Sequence, residues 1–252
     1  MIRNIKTIMR QDREPYRIPR RVQDVIPIQC VWPDGIFKVG IKFSKTYRFT
    51  DINYKVASRN DKETMFLAYS ELLNSLDCAA TTKLTICNRR QSQADFEQSV
   101  LMPMREDGLD KYRREYNQML MDKATGANGI TQEKYVTITV YKRDIEDARA
   151  YFTRIGADLT ARFAALGSKC VELDATDRLR ILHDFYRAGD EGNFHFDMAD
   201  MARKGHDFRD YICPDGIEKH SDYLKLGDRY CRVLFLKDYA NYIQDEIVTN
   251  LT

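Results

Sequence analysis

The segment Gly40–Phe49, GIKFSKTYRF, contains the pair Lys45–Thr46, which has the residue types that end a nucleotide-binding phosphate loop. Such a loop has the pattern G-x-x-x-x-G-K-[ST], because backbone N–H groups must approach the phosphates without a Cβ in the way. Val39 and Ser44 occupy the two glycine positions here. The β-rich sequence that follows also offers no helix N-terminus to an anion. The pattern therefore predicts a strand, and the chain is expected not to be an enzyme by itself.

A second group of residues has the types that bind metal ions. Its members are His183, Asp184, His195, Asp197, Asp200, His206 and Asp207. Imidazole and carboxylate ligands hold the hydrolytic ion of metal-dependent phosphohydrolases, so this His/Asp cluster supports an alternative function, a small metal-dependent phosphohydrolase. No two members are four residues apart, so no helix face fixes a ligand pair. The pattern favours ordinary polar residues and predicts no catalytic, metal-binding or cofactor-binding residue.

The six cysteines do not form a metal or redox motif. They are scattered, with no C-x-x-C pair: Cys30, Cys78, Cys87, Cys170, Cys213 and Cys231. No G-x-S-x-G segment offers a serine nucleophile. Scattered cysteines without an apolar leader segment are typical of a reducing compartment, so we expect a cytoplasmic protein.

The charge balance gives no overall basic field for nucleic acid. The 252 residues include 40 Lys and Arg and 38 Asp and Glu, for a net charge of +2. Several tyrosines could stack on bases, but basic residues are not interleaved with them in a stripe: Tyr112, Tyr116, Tyr135, Tyr141 and Tyr151. We expect no direct nucleic-acid contact, and a single-stranded nucleic-acid module is the least favoured alternative.

Positive charge is concentrated in residues 1–21, which we interpret as a basic N-terminal arm. The basic residues are Arg3, Lys6, Arg10, Arg13, Arg17, Arg20 and Arg21. Pro15 and Pro19 end any helix within the arm. Two interpretations stay open: contact with an anionic membrane surface or an acidic partner, or a solvated, poorly ordered terminus.

The first half of the remaining chain predicts a hairpin, two strands and two helices. Pro27–Trp32 and Ile36–Gly40 flank the turn 33–35, and Tyr47–Ile52 predicts a further strand. The helix after Asn60, which can cap it, has one apolar stripe: Met65, Phe66, Tyr69, Leu72, Leu73 and Leu76. A strand at 83–88 and a helix from about Gly108 follow, the latter marked by Leu109, Tyr112, Tyr116, Met119 and Leu120.

The second half begins with the clearest strand, at 135–141, where β-branched and aromatic residues alternate. The longest helix follows, capped by Asp144 and ended by Gly167. A strand at 169–173 and a helix at about 176–188 come next. Further β-rich pieces are predicted at 210–213, 223–226 and 230–236, and a last helix at 239–251.

Two strand–helix–strand units, at about 47–88 and 135–173, define the fold class. They predict an α/β domain, with α+β as the alternative, built on a mixed sheet with packed helices, an N-terminal β-hairpin and a C-terminal β-rich segment. We expect residues 22–252 to form a single domain. A division into two subdomains near 125–133 is the alternative.

Several blocks resemble the amino-terminal region of the VirB/TrbE/CagE-type conjugal-transfer ATPases, the motor proteins of type IV secretion systems. The resemblance extends over nearly the whole chain and is carried by separate blocks: Phe43–Tyr54, Tyr69–Asn74, Asp122–Asn128, Gly167–Leu173 and Arg232–Leu236. They are most similar to the large versions of Gram-positive bacteria and mobile elements. Family members continue into a RecA-like motor domain that carries the Walker motifs, and these 252 residues contain no such motif.

The resemblance implies a docking or assembly role in conjugation rather than catalysis. It implies a cytoplasmic position at the inner face of the cell membrane, peripheral to the bilayer. The implied partners are other type IV secretion subunits at the inner membrane and the motor domain of the parent chain, with self-association as an alternative. No nucleotide-binding residue can be transferred from the family to this sequence.

Overall fold

Strands and helices alternate in the central part of the chain, from Lys42 to Tyr186, as the α/β expectation requires. A computed structural model describes residues 19–52, 57–90, 101–126, 130–235 and 238. The helices are α1 (Arg59–Asn74), α2 (Asp110–Gly126), α3 (Ile145–Ala165), α4 (Ala175–Tyr186) and α5 (Met198–Lys204). The strands are β1 (Cys30–Val31), β2 (Phe37–Val39), β3 (Lys42–Phe49), β4 (Thr81–Arg90), β5 (Ile130–Tyr141), β6 (Cys170–Glu172), β7 (Ile217–Lys219), β8 (Leu224–Leu226) and β9 (Arg229–Cys231).

The main sheet contains two interlocked strand–helix–strand units. Its order is β4-β5-β3, and both β6 and the β1–β2 hairpin lie at the other edge of β3. Since β3 and β4 are each antiparallel to β5, they run parallel to one another with β5 between them. In the same way β3 separates β5 from β6. The units β3-α1-β4 and β5-α3-β6 confirm the predicted α/β class and form the ferredoxin-like, split β-α-β arrangement. The prediction of a mixed sheet is wrong: every described strand pair of the main sheet is antiparallel, because another strand lies between the two parallel strands of each unit.

Side-chain alternation gives this sheet two different faces. The apolar face carries buried residues of both central strands, among them Phe43, Tyr47 and Ile138. The polar face carries hydroxyl side chains, and Thr46 Oγ1 lies 2.9 Å from Thr137 Oγ1 across the strand pair. Different helices therefore pack against the two faces.

Helix α3 covers the apolar face. Asp144 caps it as predicted, accepting a backbone N–H at 2.9 Å, and Gly167 follows its end with φ of 80°. Its buried residues repeat every three or four positions: Ala148, Tyr151, Phe152, Ile155, Gly156, Leu159 and Phe163. The Tyr47 hydroxyl donates to the Phe152 carbonyl at 3.3 Å, which joins the helix to β3.

Helix α4 packs against the other side of the sheet. Asp174 caps it, and the Arg178 side chain reaches Ser44 on β3. A second apolar cluster forms around this helix, from the hairpin, α4 and the segment that follows: Ile26, Ile28, Phe37, Leu179, Phe194, Phe208, Ile212 and Cys213. The helix thereby connects the main sheet to the C-terminal third of the described chain.

Several predicted boundaries are wrong for identifiable reasons. The strand predicted at Tyr47–Ile52 is β3, which begins at Lys42 and ends at Phe49. Helix α1 is capped by Ser58 rather than Asn60, since the Ser58 hydroxyl accepts the Asp61 N–H at 3.2 Å. An N-cap side chain accepts the backbone N–H of the second or third residue after it, here Asp61, which makes Ser58 the cap. The helix begins at Arg59, so Asn60 lies inside it.

The C-terminal region departs furthest from the prediction. Residues 210–213 are not a strand, because Phe208–Tyr211 forms a 3-10 turn capped by Asp207. Helix α5 and strand β7 were not predicted; each is too short to show a periodicity. Strands β7, β8 and β9 form a separate antiparallel sheet. The helix predicted at 239–251 lies outside the described residues.

The alternative of two subdomains placed their division near residues 125–133, and strand β5 begins within that region. Strand β5 pairs with β4 and with β3, and both of these strands precede the region in the chain.

Among the residues that the structure describes, no helix is long and apolar enough to cross a membrane.

Two glycines of the N-terminal hairpin allow a test of its packing. Both have positive φ, 75° at Gly35 and 59° at Gly40. A Cβ on Gly35 would lie 2.0 Å from the Leu173 carbonyl oxygen, whereas a Cβ on Gly40 would meet nothing within 4 Å. We expect Gly35→Ala to lower the free energy of unfolding by about 3 kcal/mol, from backbone strain plus the clash, and Gly40→Ala by about 1 kcal/mol from strain alone. Urea unfolding measures both; equal losses would contradict the placement of the turn against Leu173.

Candidate functional site

The phosphate-loop-like pair Lys45–Thr46 lies in the middle of β3 and is structural. Lys45 is buried, and its Nζ lies 2.5 Å from Glu172 Oε2 on β6. Thr46 is also buried and contacts Thr137 on β5. Regular strand geometry continues through both residues, so their amides form the sheet ladder and are not free to bind phosphate.

The basic arm is only partly within the described residues. Arg20 and Arg21 are exposed, and the Arg21 backbone N–H donates to Asp24 Oδ2 at 3.2 Å. The other five lie outside the described residues: Arg3, Lys6, Arg10, Arg13 and Arg17. The arm as a contact surface for a membrane or partner stays a prediction.

The first His-Asp pair of the metal-site hypothesis is built into the packing of α4. His183 is buried, its ring lies 5.0 Å from the Phe194 ring, and its Nδ1 lies 3.4 Å from Asp184 Oδ1. Asp184 faces the sheet, where its Oδ2 lies 3.0 Å from Arg89 Nη2. Both residues thus hold α4 in place.

The other members of the His/Asp cluster have separate local roles. Asp197 caps α5. Asp200 pairs with Arg203 and Lys204 one turn later. Asp207 caps the 3-10 turn, while His195 and His206 are exposed. Within the described residues, no three His, Cys, Asp or Glu side chains are arranged to hold a metal ion.

A groove of about 520 Å³ lies where α4, β4, β5 and the small sheet meet. We call it the α4 groove. Its lining residues come from four regions of the chain: Ile86, Cys87, Asn88 and Arg89; Glu133 and Tyr135; Ile181, Asp184, Phe185, Tyr186 and Ala188; and Leu226, Arg229, Tyr230, Cys231 and Arg232. No sequence pattern indicates the groove, because no two of these regions are adjacent in the chain.

An ion cluster connects the elements of the α4 groove. Arg89 Nη1 lies 3.3 Å from Glu133 Oε2, and its Nη2 approaches Asp184 without hydrogen-bond geometry. The Tyr135 hydroxyl donates to Glu133 Oε2 at 2.6 Å. Burial opposes the charge of Arg89, but Asp184 and Glu133 outweigh it and raise its pKa. Burial, and then the bond to Glu133, raise the pKa of Tyr135. Arg89 therefore pairs with both acids.

The apolar stripe of α2 lies at the surface. Tyr112, Tyr116 and Met119, spaced four and three residues apart, are 66%, 45% and 42% exposed. The helix is held instead by the preceding segment, since the Asn117 amide bonds the Met102 backbone N–H and carbonyl, both at 2.9 Å. The periodicity predicted the helix correctly but did not show that its apolar side is uncovered.

The predicted stripe of α1 is also largely uncovered. Leu72 is buried in the core, but Phe66, Tyr69 and Leu73 are 65%, 38% and 43% exposed. On the same side of the sheet, Leu84 of β4 is 53% exposed. Helix α1 and strand β4 thus carry large apolar side chains in contact with solvent, as α2 does.

The cysteine thiols give a test of burial. Burial raises the pKa of Cys170 to about 11 and that of Cys213 to about 11. Cys30 and Cys78 are exposed. Because the thiolate is the reactive species, alkylation of Cys78 by iodoacetamide at pH 8 should be about a hundredfold faster than that of Cys170, and the ratio should fall as the pH approaches 11. Peptide mass spectrometry measures both rates; comparable rates at pH 8 would contradict the packing of β6.

A scan against protein-family models finds no match to the chain, and a search of curated proteins finds none either. The resemblance to the conjugal-transfer ATPases therefore rests on the sequence blocks that carry it.

Proposed function

We propose that this chain is the N-terminal docking and assembly domain of a type IV secretion ATPase, acting in conjugative DNA transfer and not catalytic by itself. It works at the inner face of the membrane, peripheral to the bilayer. Its partners are other secretion subunits and the motor domain of the parent protein. The proposal joins the multi-block sequence resemblance to one structural observation, the exposed apolar stripe of α2.

The α2 stripe supports an association role because it is costly to leave in water. Aromatic and methionine side chains are enriched in protein–protein interfaces, where tyrosine combines a large apolar area with a polar tip. Exposed apolar patches bordered by polar residues mark interaction sites on soluble domains. Lys111 and Arg114 of α2 are exposed beside the stripe and supply such a border.

The rest of the domain supplies rigidity. Helix α3 and the central strands bury a continuous apolar core. The groups that might have done chemistry are used in structure: Lys45 pairs with Glu172, and Asp184 pairs with Arg89. No observation favours the phosphohydrolase alternative.

Interference with conjugation tests the proposal. The domain is overproduced in donor cells that carry the conjugative element whose motor contains it. By occupying docking sites without a motor, it should lower the transfer frequency by about tenfold when it is in about tenfold excess over the parent protein, because competitors of equal affinity occupy sites in proportion to their concentrations. The double variant Tyr112→Glu/Tyr116→Glu should restore transfer, because charge on the stripe prevents docking.

A matched control separates docking from loss of charge or fold. Lys111→Gln/Arg114→Gln changes the net charge by the same amount on the same helix and should interfere as strongly as the original domain. Circular dichroism should show that both variants remain folded. Full interference by the stripe variant, or none by the original domain, would contradict the proposal.

A further inference from the structure

The α4 groove lies between two strand edges. In the part of the chain that the structure describes, β4 ends the main sheet on one side and β9 ends the small sheet. Four consecutive residues of each edge region line the groove, 86–89 and 229–232. Successive side chains of a strand point to opposite faces of its sheet. A groove on one face would be lined by every second residue, so a groove lined by consecutive residues runs along the edge of the strand. Such edges offer N–H and C=O groups to an added strand.

The rim of the α4 groove carries positive charge that the domain does not neutralise. Arg229 and Arg232 are exposed, and within the described part of the chain neither forms an ion pair. The Arg229 guanidinium is packed beside Gly189, where an added Cβ would lie 2.4 Å from its Nη2. Arg89, deeper in the groove, pairs with the two acids that line it. A ligand in the groove therefore meets the side chains of Arg229 and Arg232 without an ion-pair partner, whereas both acidic lining residues, Glu133 and Asp184, are paired with Arg89.

The walls of the α4 groove offer apolar contacts. The ring of Phe185 on α4 is 57% exposed, and that of Tyr230 on β9 is 72% exposed. Leu226 is buried and lies at the base of the small sheet. An occupant that covered both rings would remove aromatic area from water, which is the usual anchor of a peptide site.

We propose that the α4 groove binds an extended acidic peptide segment of a partner protein by strand addition. Its backbone pairs with the outer edge of β9, its carboxylates contact Arg229 and Arg232, and its apolar side chains cover Phe185 and Tyr230. The charge complementarity selects acidic over basic segments. This site is separate from the stripe of α2 and goes beyond the proposed function.

A labelled peptide tests the proposal on the full chain. The probe is a fluorescein-labelled octapeptide of alternating glutamate and leucine, followed by fluorescence anisotropy. It should bind, whereas the octapeptide with lysine in place of glutamate should not. A version with N-methylated backbone amides should also fail, because strand addition needs those N–H groups. Equal binding of the acidic and basic peptides, or undiminished binding of the N-methylated one, would overturn the proposal.

Variants and thiol protection locate the site. Arg229→Gln/Arg232→Glu should raise Kd at least about tenfold, while Arg180→Glu, an exposed change on α4 outside the groove, should leave it unchanged. Bound peptide should slow alkylation of Cys231, which lines the groove, but not that of exposed Cys78. Binding without protection of Cys231 would overturn the proposal.

Two further outcomes separate this inference from others. Binding of a single-stranded oligonucleotide through Arg229 and Arg232, with none of the acidic peptide, would show a phosphate site and overturn the proposal. The variant Tyr112→Glu/Tyr116→Glu should bind the peptide normally. Loss of peptide binding in the groove variant together with full interference in conjugation supports the groove as an independent site.

Discussion

The buried guanidinium of Arg178 connects the parts of this domain. It donates to the carbonyl oxygens of Gly35 and Ser44, both at 2.7 Å, and to Ser44 Oγ at 3.1 Å, and it lies 3.8 Å from the centre of the Phe37 ring. Burial lowers the pKa of Arg178 to about 9, so the group stays charged at neutral pH. A buried charge is tolerated only with such bonds. Through them, one side chain fixes α4 to the hairpin turn and to β3.

The position of α4 determines what the rest of the molecule presents. With α4 fixed, Asp184 meets Arg89 and Phe185 forms a wall of the α4 groove. On the other face, α3 and Leu72 of α1 bury the core, while most of the α1 stripe and the α2 stripe stay exposed. The domain therefore combines a rigid centre with surfaces of different chemistry. Exposed apolar side chains of α1, α2 and β4 supply one chemistry, and the α4 groove with its basic rim supplies the other.

Local patterns predicted the elements well and the surfaces poorly. Alternation in β5, the Asp144 cap and Gly167 defined a strand and a helix correctly, because these signals depend on neighbouring residues only. The stripe of α2 predicted a helix but not its exposure, since periodicity shows that one side is apolar and not what covers it. The α4 groove unites residues nearly 150 positions apart, such as Cys87 and Cys231, and has no local signature. The members of the His/Asp cluster are close in sequence, but they do not form one site. They cap separate helical turns or belong to separate ion pairs.

If the domain acts by binding and Lys45–Thr46 serves only the sheet, the purified chain should not hydrolyse Mg-ATP. Steady-state hydrolysis measures this, with Lys45→Met as the comparison. No turnover above the buffer blank is expected for either protein. Turnover by the original chain that Lys45→Met abolishes, with the fold retained by circular dichroism, would contradict it.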